Sequence, residues 1–205
     1  MMIASVLHLD RRAVKALKIR DEYSLHRVIY SLFEDVRTPE QKQQGASSGI
    51  LYADKGGDEH HRKILILANR NPIIPEYGEL NSKKISDAFL NHQHYRFETI
   101  INPTQRNNAS RKIVPIKGRE AIGAWFIDKA PKSWGFKVKS ENLVVSNNHV
   151  KQFNKKGQSV TQGYATVTGE LEVINKAHFI KSFQQGIGRG RSFGCGLLQV
   201  VPFKI

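Results

Sequence analysis

Two groups of residues in this 205-residue chain have the types and spacing for chemistry. The first is Tyr23 and His26, inside DEYSLHRVIYSLFED (21–35). Three positions apart on a helix, they lie roughly 60° apart around the axis, so both side chains can address one ligand. The unperturbed imidazole pKa, about 6.5, suits proton transfer near neutrality. The competing reading is a surface histidine beside the core face of the helix. The second group is GIGRGRSFGCGLL (186–198), where five glycines fall within eleven residues and Arg189 and Arg191 sit among them. Glycine admits positive φ and close backbone approach, so successive N–H groups can cradle an anion. Arginine suits phosphate. A polyanionic ligand follows. On the structural alternative, the glycines pack a helix against a strand and the arginines are solvated.

The elements that must position these groups are readable from periodicity. MIASVLHL (2–9) alternates as a strand. Leu25, Val28, Ile29, Leu32 and Phe33 recur at helical spacing over 21–35, with Asp21 as N-cap. TPEQKQQGASSG (38–49) reads as a polar loop, ILYAD (50–54) and RKILILANRNP (62–72) as strands, NSKKISDAFL (81–90) as a short helix and HYRFETIINP (94–103) as another strand. This order is βαββαβ, the ferredoxin-like pattern. The second half repeats it loosely. RKIVPIK (111–117) is a strand, and GREAIGAWFIDKA (118–130) a helix broken at Pro131. Residues 134–154 and 158–175 are long strands around a KKG hairpin turn, 176–188 a helix and 195–203 the last strand. The expected fold is α+β, with two tandem ferredoxin-like domains at 1–108 and 109–205.

Composition bounds the ligand. Lys and Arg total 32 against 18 acids, a net charge of +14. Residues 1–110 hold 16 basic and 13 acidic side chains, and residues 111–205 hold 16 and 5, so the second part carries +11. Such a half is an electrostatic footprint for nucleic acid, ahead of an anionic membrane or an acidic partner. Cys195 is the only cysteine, so neither an intrachain disulfide nor a cysteine zinc site is expected. It reads as a small buried residue. His60 and His61 lie in a polar turn, and His92 and His94 flank a strand start. No carboxylate accompanies them convincingly, and no metal or other cofactor is expected. Trp125, Phe126 and Trp134 read as core, and Phe193 as an anchor of the glycine loop. The opening MMIASVLHLDRR lacks the layout of a signal peptide, and no apolar run nears the ~20 residues of a membrane span. A cytoplasmic protein with no membrane partner is expected.

The motifs also carry a resemblance. YSLHRVIYSLF, with Tyr23 and His26, resembles the catalytic helix of the CasE (Cse3) family. ELEVIN followed by a helix and QQGIGRGRSFGCGLLQVVPF is similar to that family's C-terminus, YRFETIINPTQR to its strand ending in Asn-Pro, and VPIKGREAIGAWF to the start of its second domain. The resemblance spans nearly the whole chain. It implies the CRISPR RNA-processing endoribonuclease of the Cascade complex, with a CRISPR repeat RNA stem-loop and other Cascade subunits as partners. The implied reaction is metal-independent. A 2′-hydroxyl attacks the adjacent phosphorus beside the stem, giving 2′,3′-cyclic phosphate and 5′-hydroxyl ends. On this resemblance His26 is the main acid or base and Tyr23 orients or shares the proton transfer. Some relatives carry a lysine where Ser31 stands here, so Arg27 or a lysine from the second domain takes its place. The basic hairpin with Lys151, Lys155 and Lys156 is expected to grip the stem. Arg189 and Arg191 are expected to meet phosphate. A non-catalytic RNA-binding subunit of the same family is the alternative. A module of the RRM class shares the element order, but its aromatic sheet motif is not found in this sequence.

Overall fold

Period-two alternation makes the first sheet apolar on both faces. The computed structural model describes residues 1–57, 61–155 and 157–204. β1 (Met2–Asp10), β2 (Ile50–Gly57), β3 (His61–Ala68) and β4 (Glu79–Ile85) form an antiparallel sheet in the order β2-β3-β1-β4. Leu7, Leu9, Ile50, Tyr52, Ile64 and Ile66 enter one buried cluster with Leu25, Ile29, Leu32 and Phe33 of the 21–35 segment. Leu51, Ala53 and Leu67, one position out of phase, join a second cluster shared with the other half of the chain. The first sheet is therefore covered on both sides.

The helix that carries Tyr23 and His26 is α2 (Glu22–Ser31), which follows the short α1 (Arg11–Ala16). Its start is fixed by a capping box. The Asp21 carboxylate accepts from the Ser24 amide at 2.8 Å, and Ser24 Oγ accepts from the Asp21 amide at 2.9 Å. The polar loop expected after it contains one further short helix, α3 (Pro39–Gln43), capped by Thr38.

The second sheet holds β5 (His94–Ile101), β8 (Phe136–Val138), β9 (Val144–Lys155), β10 (Gln158–Val173) and β11 (Gln199–Pro202). Its order is β11-β5-β10-β8, with β9 also paired to β10. Between β5 and β8 runs α4 (Arg119–Ser133), and between β10 and β11 runs α5 (Lys176–Gln185). The stretch 134–154, expected as one long strand, is split by a 3-10 turn at Ser140–Asn142 into β8 and β9, both paired with β10, so the unit keeps the βαββαβ order with its second strand in two pieces. Tyr95, Phe97, Ile122, Phe126, Phe136 and Phe179 form the centre of its core. Phe126 and Trp134 are buried and Trp125 packs against them, as expected.

Four further expectations change. Residues 81–90 are not a helix: 79–85 pair residue by residue with β1, from Met2↔Ile85 to His8↔Glu79, and only Asp87–Leu90 makes a 3-10 turn. An open sheet edge outweighs weak local helical spacing there. Among the described residues, no helix therefore lies between β3 and β4. Second, β5 belongs to the second sheet, where it pairs with β10 and β11. The sheets part between Ile85 and His94, ahead of the 108/109 boundary, and we propose that the domains divide there. Third, 111–117 is peripheral: β7 (Ile113–Pro115) pairs only with β6 (Thr104–Arg106). Fourth, α4 runs through Pro131 to Ser133. Proline in the last turn forfeits one hydrogen bond there and still fits the helical φ. Among the described residues, no helix is long and apolar enough to cross a membrane.

Candidate active site

His26 lies on the half-exposed side of α2, between two tyrosines of the same helix. Its ring centroid is 6.1 Å from that of Tyr23, nearly parallel, and 4.0 Å from that of Tyr30. The spacing i−3 and i+4 puts all three on one stripe. Leu25 and Ile29 beside them are buried and hold the helix against the first sheet.

The other wall comes from the glycine-rich loop. Its 3-10 turn, Arg191–Phe193, is bounded by Gly190 and Gly194, both left-handed with φ of 78° and 79°. The turn brings the Ser192 carbonyl to 2.7 Å from His26 Nδ1. A carbonyl only accepts, so Nδ1 carries the proton. In the neutral ring Nε2 then holds the free lone pair. Burial pushes the His26 pKa below its ordinary value. The bond to Ser192 opposes that shift, and the positive charge of Lys155 adds to it. His26 is therefore neutral at pH 7, with a basic Nε2.

The loop meets the basic hairpin at Phe193. Its ring is 5.4 Å from His26, 4.8 Å from Phe153 and 5.5 Å from the Lys155 ammonium. Phe193 anchors the loop, as expected, and also forms one side of the histidine's surroundings. A cavity of about 360 Å³ opens here, lined by His26, Arg37, Ser48, Lys155 and Arg191 among others. Arg37 is held by Asp35 at 2.9 Å.

The residues expected to bind an anion fall into different places. Lys155, at the end of β9, faces the histidine. Lys151 sits further down the same strand, pairs with Glu22 of α2 and lies 5.3 Å over the Tyr164 ring. It ties helix to hairpin. Lys156 is outside the described residues, as is His60. Arg27 is exposed and lines a second hollow together with Lys18, His26, Tyr30 and Ser31. Arg191 is exposed and donates to the Gln185 carbonyl at 2.9 Å, closing the end of α5. Arg189 is exposed, and its backbone bridges to Asn102. Cys195 is fully buried, its thiol pushed up to about 12 by burial, and accepts from Gln162 Nε2 at 3.3 Å. Among the described residues no three His, Cys, Asp or Glu side chains converge to hold a metal ion. Sequence reasoning missed Tyr30 and the Ser192 carbonyl. The first was visible as i+4 from His26; the second is a backbone atom and left no residue-type signal.

A basic, glycine-bounded loop set against a Tyr-x-x-His helix, on a ferredoxin-like scaffold, invites comparison with known families. The family described as CRISPR associated protein matches residues 2–202. The chain belongs to that family. Curated proteins gave no match. Among solved structures, the chain is similar to a CRISPR endoribonuclease Cse3 bound to a 19-nucleotide RNA. The TM-score is 0.78 at 20% identity, over 98% of this chain and 100% of that one. A Thermus thermophilus Cse3 bound to an RNA representing a pre-cleavage complex gives the same TM-score, 0.78, and identity, 20%, over 98% and 99% of the two chains. The CRISPR-associated protein Cas6e of Escherichia coli K-12 gives 0.71 at 21% identity, over 99% and 100%. At such identities these likenesses establish the shared tandem ferredoxin-like fold across the whole family member.

Proposed function

We propose that this CRISPR-associated protein is a metal-independent endoribonuclease that cuts CRISPR repeat RNA beside its stem-loop and stays on the product as a Cascade subunit in the cytoplasm. The observation that carries the reading is the Nδ1 bond of His26 to the Ser192 carbonyl at 2.7 Å. It selects the Nδ1–H tautomer, and burial favours the neutral ring, so the lone pair lies on Nε2, the state a general base requires. Nε2 takes the proton of a 2′-hydroxyl as that oxygen bonds to the adjacent phosphorus. The P–O5′ bond breaks, O5′ leaves with a proton for which the Tyr23 hydroxyl is the donor, and a 2′,3′-cyclic phosphate remains. DNA lacks the nucleophile, so specificity for RNA is built into the chemistry.

The charge that builds on the phosphorane needs a cation. Ser31 offers none, and its hydroxyl is turned to the Val28 carbonyl at 2.9 Å. Lys155 is the cation whose charge is felt at His26, across the Phe193 ring. We assign it this role in addition to stem binding. Arg189, Arg191 and Arg27, all exposed, serve the RNA backbone. The solved relatives bound to RNA and the similarity to a chain of a CRISPR RNA-guided surveillance complex support the choice of ligand and assembly.

The test is incubation with an end-labelled repeat hairpin in EDTA. Cleavage that survives chelation, stops with a 2′-deoxy nucleotide at the cut and is lost in His26→Ala is the expected result. Tight binding without any cut would reassign the protein as an RNA-binding subunit. Wild-type cleavage by His26→Ala would remove His26 from the chemistry.

A further inference from the structure

Two buried tyrosines outside the Tyr23–His26 pair converge on the backbone that holds the histidine. Tyr52, on β2 of the first sheet, is 1% exposed and donates its hydroxyl to the Ser192 carbonyl at 3.1 Å. Tyr164, on β10 of the second sheet, is 5% exposed and donates to the next carbonyl, Phe193, at 3.1 Å. Burial pushes both phenols well above their ordinary pKa, so both remain O–H donors throughout the working pH range. The Ser192 oxygen therefore accepts two donors at once, the Tyr52 hydroxyl and His26 Nδ1. A carbonyl has two lone pairs, so this one is fully used.

The fit around this point is close. A Cβ on Gly194 would stand 3.2 Å from the Tyr52 ring. Gln162, two residues before Tyr164 on β10, closes on Cys195 at the far end of the same turn. Carbonyls 192 and 193 lie in a short 3-10 turn outside any strand ladder. Without side-chain donors, nothing in the backbone pattern would fix where they point.

We propose that Tyr52 and Tyr164 are positioning residues. By pinning two consecutive carbonyls of the glycine-rich loop, one from each sheet, they hold the Ser192 oxygen where it keeps His26 in the Nδ1–H tautomer. Neither tyrosine touches substrate. Their influence on cleavage runs through the histidine, so the inference rests on the reading of His26 as the proton-transfer residue.

The experiment reads His26 directly. Ring-nitrogen chemical shifts are followed against pH in 15N-labelled wild type, Tyr52→Phe, Tyr164→Phe and the double variant, all without RNA, and His26→Gln identifies the signals. Wild type is expected to show a protonated Nδ1 and a bare Nε2 above the His26 pKa. Each Tyr→Phe change keeps the ring and removes only the hydroxyl. The carbonyl then drifts, the tautomers mix, and the His26 pKa falls further, because the bond to Ser192 is what raises it. Single-turnover cleavage is expected to slow about three- to tenfold with an unchanged Kd for the hairpin, the scale of one hydrogen bond. An unmixed Nδ1–H signal in the double variant, with a pKa equal to or above wild type, would overturn the proposal: relieved of a competitor, the carbonyl would simply hold His26 harder. Should Tyr52→Phe lose the native circular dichroism spectrum, Tyr164→Phe carries the test alone. The tautomer measurement needs no cleavage, so the clamp and the endoribonuclease reading fail separately.

Discussion

His26 receives three influences, and their signs decide how cleavage depends on pH. Burial lowers its pKa, the Ser192 carbonyl raises it, and Lys155 lowers it. A base must be unprotonated, so on the proposed role of His26 the rate should rise with pH through a pKa below the ordinary 6.5 and be flat by neutrality. Removing Lys155 takes away a repulsion against the imidazolium. In Lys155→Ala the acidic limb of the single-turnover profile should therefore move to higher pH, and the plateau should drop roughly ten- to a hundredfold if Lys155 also meets the phosphorane. Lys155→Arg should keep the limb near its wild-type position. A plateau loss with no movement of the limb would show that Lys155 binds RNA without influencing His26. At this scale Tyr23 and His26 were singled out by the resemblance of their helix to a known family, and their spacing on one helix face agrees with it. The sequence was silent on Ser192, because that residue acts through its carbonyl and any residue type would supply one. Lys155 stood out as basic, but its place beside a histidine 129 positions earlier depends on how the hairpin folds back.

The glycine-rich loop is an element defined by space as well as by φ. At Gly196, φ is 82° and an added Cβ would lie 2.3 Å from the Ile187 carbonyl oxygen. At Gly188, φ is 68° but nothing stands within 4 Å. Both substitutions to alanine carry the left-handed strain of about 1 kcal/mol, and only Gly196→Ala adds a collision with backbone, bringing its cost to about 3 kcal/mol or more. Urea unfolding should separate the two variants by their midpoints at equal slope. Similar midpoints would mean that the 186–187 backbone yields easily. Most other elements were legible because their apolar periods are long. Residues 81–90 were misread because Ile85, Phe89 and Leu90 mimic a helical stripe, while the edge of β1 that recruits 79–85 lies more than 70 residues away.

The two halves share a buried core. The first sheet buries one face under α2 and the other in a cluster with Phe183, Ile187, Leu197 and Leu198 of the second half. Lys151 with Glu22, and Tyr52 with Ser192, add polar ties between them. Unfolding should therefore be a single transition. Trp125 and Trp134 both lie on or beside α4, so their fluorescence reports the second half, whereas far-ultraviolet circular dichroism reports both. The two denaturation curves should coincide; a separated first-half transition would show that the shared cluster contributes little. This sharing also bears on the domain boundary proposed above between Ile85 and His94. Residues 94–103 read correctly as a strand, but strand character does not say which sheet it joins, and pairing with β10 and β11 settled that at long range.

The bond between His26 and Ser192 spans 166 residues of chain. On the ribosome, α2 emerges well before the glycine-rich loop. Throughout that interval the Ser192 carbonyl is not there to select the histidine's tautomer. A shortened chain ending before Ser192 would carry the Tyr-x-x-His helix without the bond that selects the histidine's tautomer, so on the proposed function its cleavage of the repeat hairpin should be strongly reduced.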